Sequence, residues 1–332
     1  MIKRNFQLLV SLVLVSLLVA PAFGEQPVKE KIDELMAAYV KHDLFAGTIL
    51  IAKDGKVLYS SAFGEANKDH NVPNKLETRF NIGSIGKTFT ATSIMQLAQK
   101  GKLKVSDPLS KFLPDFPFPE KDTITLHHLL NHTSGLTNYM GHKDYSAKLA
   151  QLRSISDALP LIYDQKPQFP AGQKFRYSNS GMVILGAVIE KVTGMPYADY
   201  IKKNIFEPLG MNESGIVYRE QVVPNRSTGY IKNGDGTYTN NIFMEPPAFS
   251  DGGLYTTAGD MFKFDRALYG DKLLSEEYKT KMFTPNGPTD GYAYGWSTAT
   301  IDGHRLIGHV GVVRVRVVVH RRRELVVRHG YS

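Results

Sequence analysis

The sequence predicts a mixed α/β fold, a sheet domain into which a long helical region is inserted. Three observations carry this. Two apolar runs, 47–52 and 57–62, flank Lys53-Asp54-Gly55-Lys56, and an Asp-Gly between such runs signals a β-hairpin. From Leu103 to about Leu209 the pattern has helical periodicity broken by prolines at 114, 117, 119 and 170. After Asn225 the texture turns to Gly, Asn and Thr with short apolar runs, ending in Tyr294-Gly295-Trp296 and Arg305-Leu306-Ile307, so strands return and complete the sheet.

The flanking elements follow in order. Residues 28–42 place Ile32, Leu35, Met36, Tyr39 and Val40 at helical spacing, an amphipathic first helix. Residues 86–100 read as a second helix, with Phe89, Ile94, Met95 and Leu97 apolar and Gly101 as the stop signal. A length of 332 residues with 42% hydrophobic composition supports a large core, either one domain with an insertion or two domains.

Residues 1–24 read as an export signal. Lys3 and Arg4 precede an apolar run from Leu8 to Ala20, and Ala20, Ala22 and Gly24 supply small residues for cleavage. The run is short for a membrane span, so no stable span is expected after cleavage. The expected product is a soluble, periplasmic or secreted monomer. With no cysteine there is neither a disulfide nor a lipid-anchored thiol.

The formal charge of +8 is unevenly placed. Residues 312–332 hold six Arg against Glu324, and Lys3 and Arg4 add two more charges, which leaves the body near neutral. That distribution is not a phosphate-tracking surface, and no nucleic-acid partner is expected.

Ser84-Ile85-Gly86-Lys87 places a serine and a lysine three apart, on one face of a helix that opens at the serine. A serine hydroxyl needs a neighbouring base to become a nucleophile, and a lysine amine one turn on can serve. Backbone N–H groups and the positive helix end would face the reaction. The spacing alone is weak, since chance produces it readily. A nucleotide-binding loop is excluded, because counting back from Gly86 puts Asn81 where that motif needs glycine. Tyr177-Ser178-Asn179 is a second constellation: the phenol can carry a proton and the amide can hold a substrate amide. Tyr238-Thr239-Asn240 repeats that pattern in a turn-rich region; a turn tyrosine is the plainer reading of either, and Tyr177 is preferred because Pro170-Ala171-Gly172 and the apolar helix expected from Met182 to Val192 give it a fixed scaffold. His309-Val310-Gly311, after a strand-like run, is a third, although a lone histidine near a strand is more often structural. His127, His128 and His132 include two histidines four apart on an expected helix, yet position 129 is Leu129 and no third ligand is evident. No metal or other cofactor is therefore expected.

Together these motifs, in this order, resemble the serine beta-lactamase and penicillin-binding-protein superfamily, in its class C beta-lactamase-like branch. There the second motif is Ser-Asp-Asn and the third Lys-Thr-Gly in relatives. The likeness covers about 29–311 and includes the run 129–136, Pro170-Ala171-Gly172 with Phe175, 207–211, and Gly252-Gly253-Leu254 before Asp260-Met261. It implies an antiparallel sheet flanked by helices, an all-helical subdomain at about 103–220 within a domain spanning 25–311, and a site between sheet and helices. It further implies that Ser84 attacks a carbonyl, Lys87 and Tyr177 move the proton, and an acyl-enzyme forms and is hydrolysed. Asn179 would hold the substrate amide, and the N–H groups of Ser84 and Val312 the oxyanion, with His309 and Gly311 lining the edge. The substrate would be a beta-lactam, a D-amino-acid peptide such as peptidoglycan, or an ester; the alternative is a penicillin- or peptidoglycan-binding protein with little turnover.

Two departures follow. His309 stands where the pattern has Lys, and with a reference pKa of about 6.5 against about 10.4 it carries less charge at neutral pH. Carboxylate anchoring should be weaker, which favours peptidase-like or esterase-like chemistry. Only 21 residues follow Gly311, eight Val and six Arg among them, a composition unlike the rest. The expectation is an aberrant basic tail at 312–332, with the last strands and final helix of the fold missing.

Overall fold

The structure is a computed structural model that describes residues 28–241, 247–311, 315–320 and 324–329. Residues 1–24, read as an export signal, lie outside these. Among the described residues no helix is long and apolar enough to cross a membrane.

The first helix, α1, is Val28–Lys41. Strands β1 (Gly47–Lys53) and β2 (Lys56–Phe63) form the expected hairpin, its two-residue loop at Asp54 and Gly55 with φ of 52° and 78°. Both values are left-handed, as a turn matching the twist of the strands requires. Helix α2 (Gly86–Gln99) follows a short 3₁₀ turn at Gly83–Ile85. Then come α3 (Asn179–Thr193), α4 (Ala258–Tyr269) and α5 (Glu276–Phe283), and strands β3 (Ser297–Ile301), β4 (His304–Val310), β5 (Val315–His320) and β6 (Glu324–His329). The main sheet runs β3-β4-β5-β6-β1-β2, antiparallel throughout. Residues 103–214 form helices and turns and add no strand to it.

The tail corrects the expectation of missing strands. Residues 315–320 and 324–329 sit between β4 and β1, in the registers Ile307↔Val319, Val318↔Val326 and Ile51↔Val326. The physical reason is backbone pairing: a strand filling a gap between two others needs only its ladder bonds, and a Val-rich segment has high strand propensity. An unusual composition was mistaken for an unusual structure. The expected absence of a final helix falls outside the described residues.

Strand β1 is covered on both faces. Leu50 and Ala52 enter the main core, while Ile49 packs with Ile32 and Met36 of α1 and with Tyr59 of β2, and Ile51 packs against that cluster. This is the two-residue alternation of a strand. Tyr59 also donates from its hydroxyl to Asp33, 2.7 Å away, tying α1 to β2. The apolar stripe of α1 is narrower than its sequence suggests, because Leu35 and Val40 are exposed. On the opposite face α4 packs against β1 and β6, and α5 against α2.

Helix α2 is buried all round from Gly86 to Ala98, its hydroxyls included. Thr88, Thr92 and Ser93 donate to the carbonyls of Ile85, Thr88 and Phe89, so no polar side chain on these turns is stranded. Phe89 stacks on Phe264 of α4 with centroids 4.1 Å apart. Helix α3 lies alongside α2. Ser178 caps α3 by accepting from the Gly181 N–H, and Gly194 ends it in the left-handed region.

Candidate active site

Three chain segments converge where α2 and α3 begin and β4 ends. The turn at Gly83–Ile85 is held by Ile82 N–H donating to the Leu254 carbonyl and Gly83 N–H to Asn81 Oδ1. Gly83 takes a left-handed φ of 50°, which presents Ser84 ahead of α2. Strand β4 runs beside this turn.

Ser84 is 8% exposed and Lys87 is fully buried. Lys87 Nζ lies 2.9 Å from Ser84 Oγ, one helical turn away, and donates to the Asp251 carbonyl at 2.5 Å. An amine held by two acceptors has a fixed aim, and in its neutral form it can receive the serine proton along the first of these contacts. Lys87 Nζ also sits 5.0 Å from the centre of the Tyr177 ring. Tyr177 therefore borders the amine, as the sequence pattern predicts, at the end of the loop that leads into α3. The similar run 238–240 lies elsewhere, in a hairpin pairing 230–232 with 238–240, where Tyr238 donates to Asp43.

Asn179, the first residue of α3, is buried, with its amide N–H on Met140 Sδ and its Oδ1 without a partner. A buried acceptor left open is a place for an amide donor or a water. His309 is buried too. Its Nδ1 is 2.8 Å from the Val310 carbonyl and its Nε2 is 2.9 Å from the Tyr292 hydroxyl. A carbonyl only accepts, so Nδ1 bears the hydrogen, and with burial pushing the ring down to about 3 its Nε2 is bare at neutral pH and accepts from Tyr292. This imidazole is neutral and spoken for on both sides. Sequence reasoning set it to meet substrate directly; here it packs behind the edge that Gly311 continues. The pairing of β4 with β3 stops at Ser297–Gly308, so 309–311 have no strand partner on that side among the described residues. Val312, the expected second oxyanion donor, lies outside the described residues.

Burial pushes His309 down to about 3, with the Lys87 charge acting in the same direction. His132, packed 4.4 Å from the Tyr177 ring, is likewise held well below its ordinary range, first by burial, then by Lys87 and His309. Between about 6.5 and about 3 the unfolded chain binds a proton that the folded His309 refuses. This share of stability is complete above the ordinary value of 6.5 and is lost as the pH falls toward 3. His309→Gln, which cannot take that proton, is expected to lose less stability than the parent between about pH 7 and about pH 5. Urea unfolding midpoints at the two pH values measure this, and equal losses would show an imidazole not held neutral.

The histidine run is not a metal cluster. Helix 126–130 ends at Leu130, and His132 follows it with φ of 60°, so His128 and His132 do not share a helix face. His127 meets Tyr294 at 2.6 Å, and His128 closes a capping box with Thr125. No group of three His, Asp or Glu among the described residues could hold a metal ion.

Sequence reasoning missed three residues: Asp251, Tyr139 and Tyr292. Asp251 stands immediately before the Gly252-Gly253-Leu254 run that carries part of the family likeness, and that adjacency was the available signal.

The beta-lactamase family model matches residues 28–327. The chain belongs to the beta-lactamase family. That match runs through β5 and into β6. Penicillin-binding protein 4* of Bacillus subtilis is 35% identical over 310 residues, covering 85% of this beta-lactamase-family chain and 67% of its own length. Teichoic acid D-alanine hydrolase of Staphylococcus aureus is 29% identical over 289 residues, covering 82% and 66%. The chain thus spans about two thirds of the curated relatives it matches. Among solved structures, a penicillin-binding protein from Bacillus halodurans superposes with a TM-score of 0.78 at 34% identity, covering 88% of this chain and 94% of its own. Family and fold agree on an antiparallel sheet flanked by helices.

Proposed function

We propose that this chain is a serine hydrolase that forms an acyl-enzyme on Ser84. The observation that carries the reading is the 2.9 Å contact between Ser84 Oγ and the buried amine of Lys87. Ser84 Oγ bonds to the substrate carbonyl carbon while its proton passes to Lys87. The proton then leaves with the departing amine or alcohol, with Tyr177 beside the amine to relay it. Water attacks the acyl carbon in the second half, and Ser84 regains its proton. Asn179 Oδ1 holds a substrate amide N–H, and the Ser84 N–H is one oxyanion donor.

The substrate reading rests on His309. A neutral, buried imidazole attracts no carboxylate, so substrates without a free carboxylate beside the scissile bond are favoured. D-aminoacyl esters and amides fit this better than beta-lactams, and a relative that bears the name teichoic acid D-alanine hydrolase agrees in kind. The second reading, a penicillin-binding protein with little turnover, is favoured by the name of the Bacillus subtilis relative.

One experiment decides. The chain is exposed to a fluorescent penicillin and to a p-nitrophenyl ester; adduct on the Ser84 peptide is followed by mass spectrometry, and released product by absorbance. Product far in excess of adduct is expected for the hydrolase. Adduct without product would favour the binder, and a folded chain giving neither would sink both.

A further inference from the structure

Segment 250–253 is a strap across the start of both central helices. Thr90 donates to the Ser250 carbonyl at 2.6 Å, Lys87 to the Asp251 carbonyl, and Ser250 Oγ to the Met182 carbonyl at 2.8 Å. Gly252 lies against Gly83, where an added Cβ would meet backbone at 3.0 Å. This strap needs only the carbonyl of residue 251 to hold Lys87. Its side chain is nonetheless a carboxyl, 2% exposed, with the Tyr139 hydroxyl on Oδ2 at 3.1 Å and no partner for Oδ1. A carboxyl left half-satisfied in the interior costs stability, so packing alone gives no reason for it. Tyr139 is fully buried and ties its own N–H to Ser180 Oγ on α3, 2.8 Å away. The carboxyl thus joins the segment that bears Lys87 to the segment that bears Asn179.

Resting on the serine-hydrolase reading above, we propose that Asp251 is a positioning residue for Lys87. Its carbonyl aims the amine at Ser84, and its carboxyl, braced by Tyr139, offsets the positive charge that arises when Lys87 takes the serine proton. Burial pushes the Asp251 carboxyl above the usual carboxylate range, and the charge on Lys87 opposes this, so each group feels the state of the other. The groups facing the pair are known. Tyr139, Tyr145 and Tyr197 feel the Asp251 charge, Arg219 acts on Tyr139 and Tyr145, and His132, His309 and Tyr177 face Lys87.

Two measurements on the full chain test this. In the first, the rate of Ser84 labelling by a fluorescent penicillin is followed against pH. Removing a neighbouring negative charge weakens the hold of an amine on its proton, so in Asp251→Asn the acidic limb is expected to move to lower pH by about one unit, with a lower plateau. Tyr139→Phe, which removes the donor that favours the charged carboxyl, is expected to move it the same way by less, and it serves if Asp251→Asn fails to fold. In the second, the Asp251 carboxyl is titrated by carbon NMR, and its midpoint is expected to rise in Lys87→Met. A midpoint and a limb that both stay put, in a chain whose Ser84 is labelled, would overturn the inference and leave Asp251 a strap residue. A midpoint that moves in a folded chain that neither is labelled by penicillin nor turns over the p-nitrophenyl ester would support the coupling and defeat the hydrolase reading instead.

Discussion

Ser84→Ala is expected to erase both covalent adduct and turnover, and Lys87→Met to lower turnover by about 10²–10⁴ while leaving the fold in place. The two differ because, in the proposed mechanism, the serine oxygen forms the bond and the lysine only assists it. Lys87 is fully buried, so its replacement must fill the same volume, and Met does so without leaving a cavity. The Met side chain cannot take the serine proton, and it leaves the Asp251 carbonyl and Ser84 Oγ without their donor. Groups acting as a unit do not add, so the double variant is expected to be no slower than Ser84→Ala alone. Ester turnover, adduct mass and a thermal melt on each variant check this. Lys87→Met within about tenfold of the parent would place the base elsewhere, with Tyr177 next in line.

Gly295→Ala is expected to destabilise the chain by about 2–5 kcal/mol, from backbone strain and overpacking combined. Gly295 has φ of +72°, and an added Cβ would lie 2.6 Å from Ala91 Cβ and 2.8 Å from the Lys87 carbonyl oxygen. Neither neighbour is the far end of a flexible side chain. Its N–H is also committed to the Leu130 carbonyl at 3.0 Å, so the segment cannot simply back away. The control is Gly194→Ala, with φ of +68° and nothing within 4 Å of the new Cβ. It carries the strain without the collision and is expected to cost about 1–2 kcal/mol. Urea unfolding of both separates the two contributions. Equal losses would mean that the close approach of Gly295 to α2 adds no cost beyond the backbone strain.

What was legible in the chain was whatever local chemistry decides. The Asp54-Gly55 turn, the helix from Gly86 and the spacing of Ser84 and Lys87 all depend on neighbours within a few residues. What was misread depended on partners far along the chain. His132 drew notice as one of three histidines, and its actual place, beyond the end of a short helix and against Tyr177, follows from contacts 45 residues apart. His309 read as a group facing substrate, yet Tyr292 and a neighbouring carbonyl use both of its nitrogens. The tail read as foreign because its composition differs, whereas its role is set by the gap between β4 and β1.

The hairpin, the first two long helices, the nucleophile candidate and its lysine are written in the chain alone, since propensity, periodicity and i to i+3 geometry are properties of short segments. The fold alone sets how near Tyr177 comes to the lysine, keeps the third-motif histidine neutral, and lets Asp251 join two motifs through Tyr139. The reason is physical: burial, charge state and hydrogen-bond satisfaction belong to the surroundings of a side chain, and those surroundings are assembled from segments that no local pattern connects.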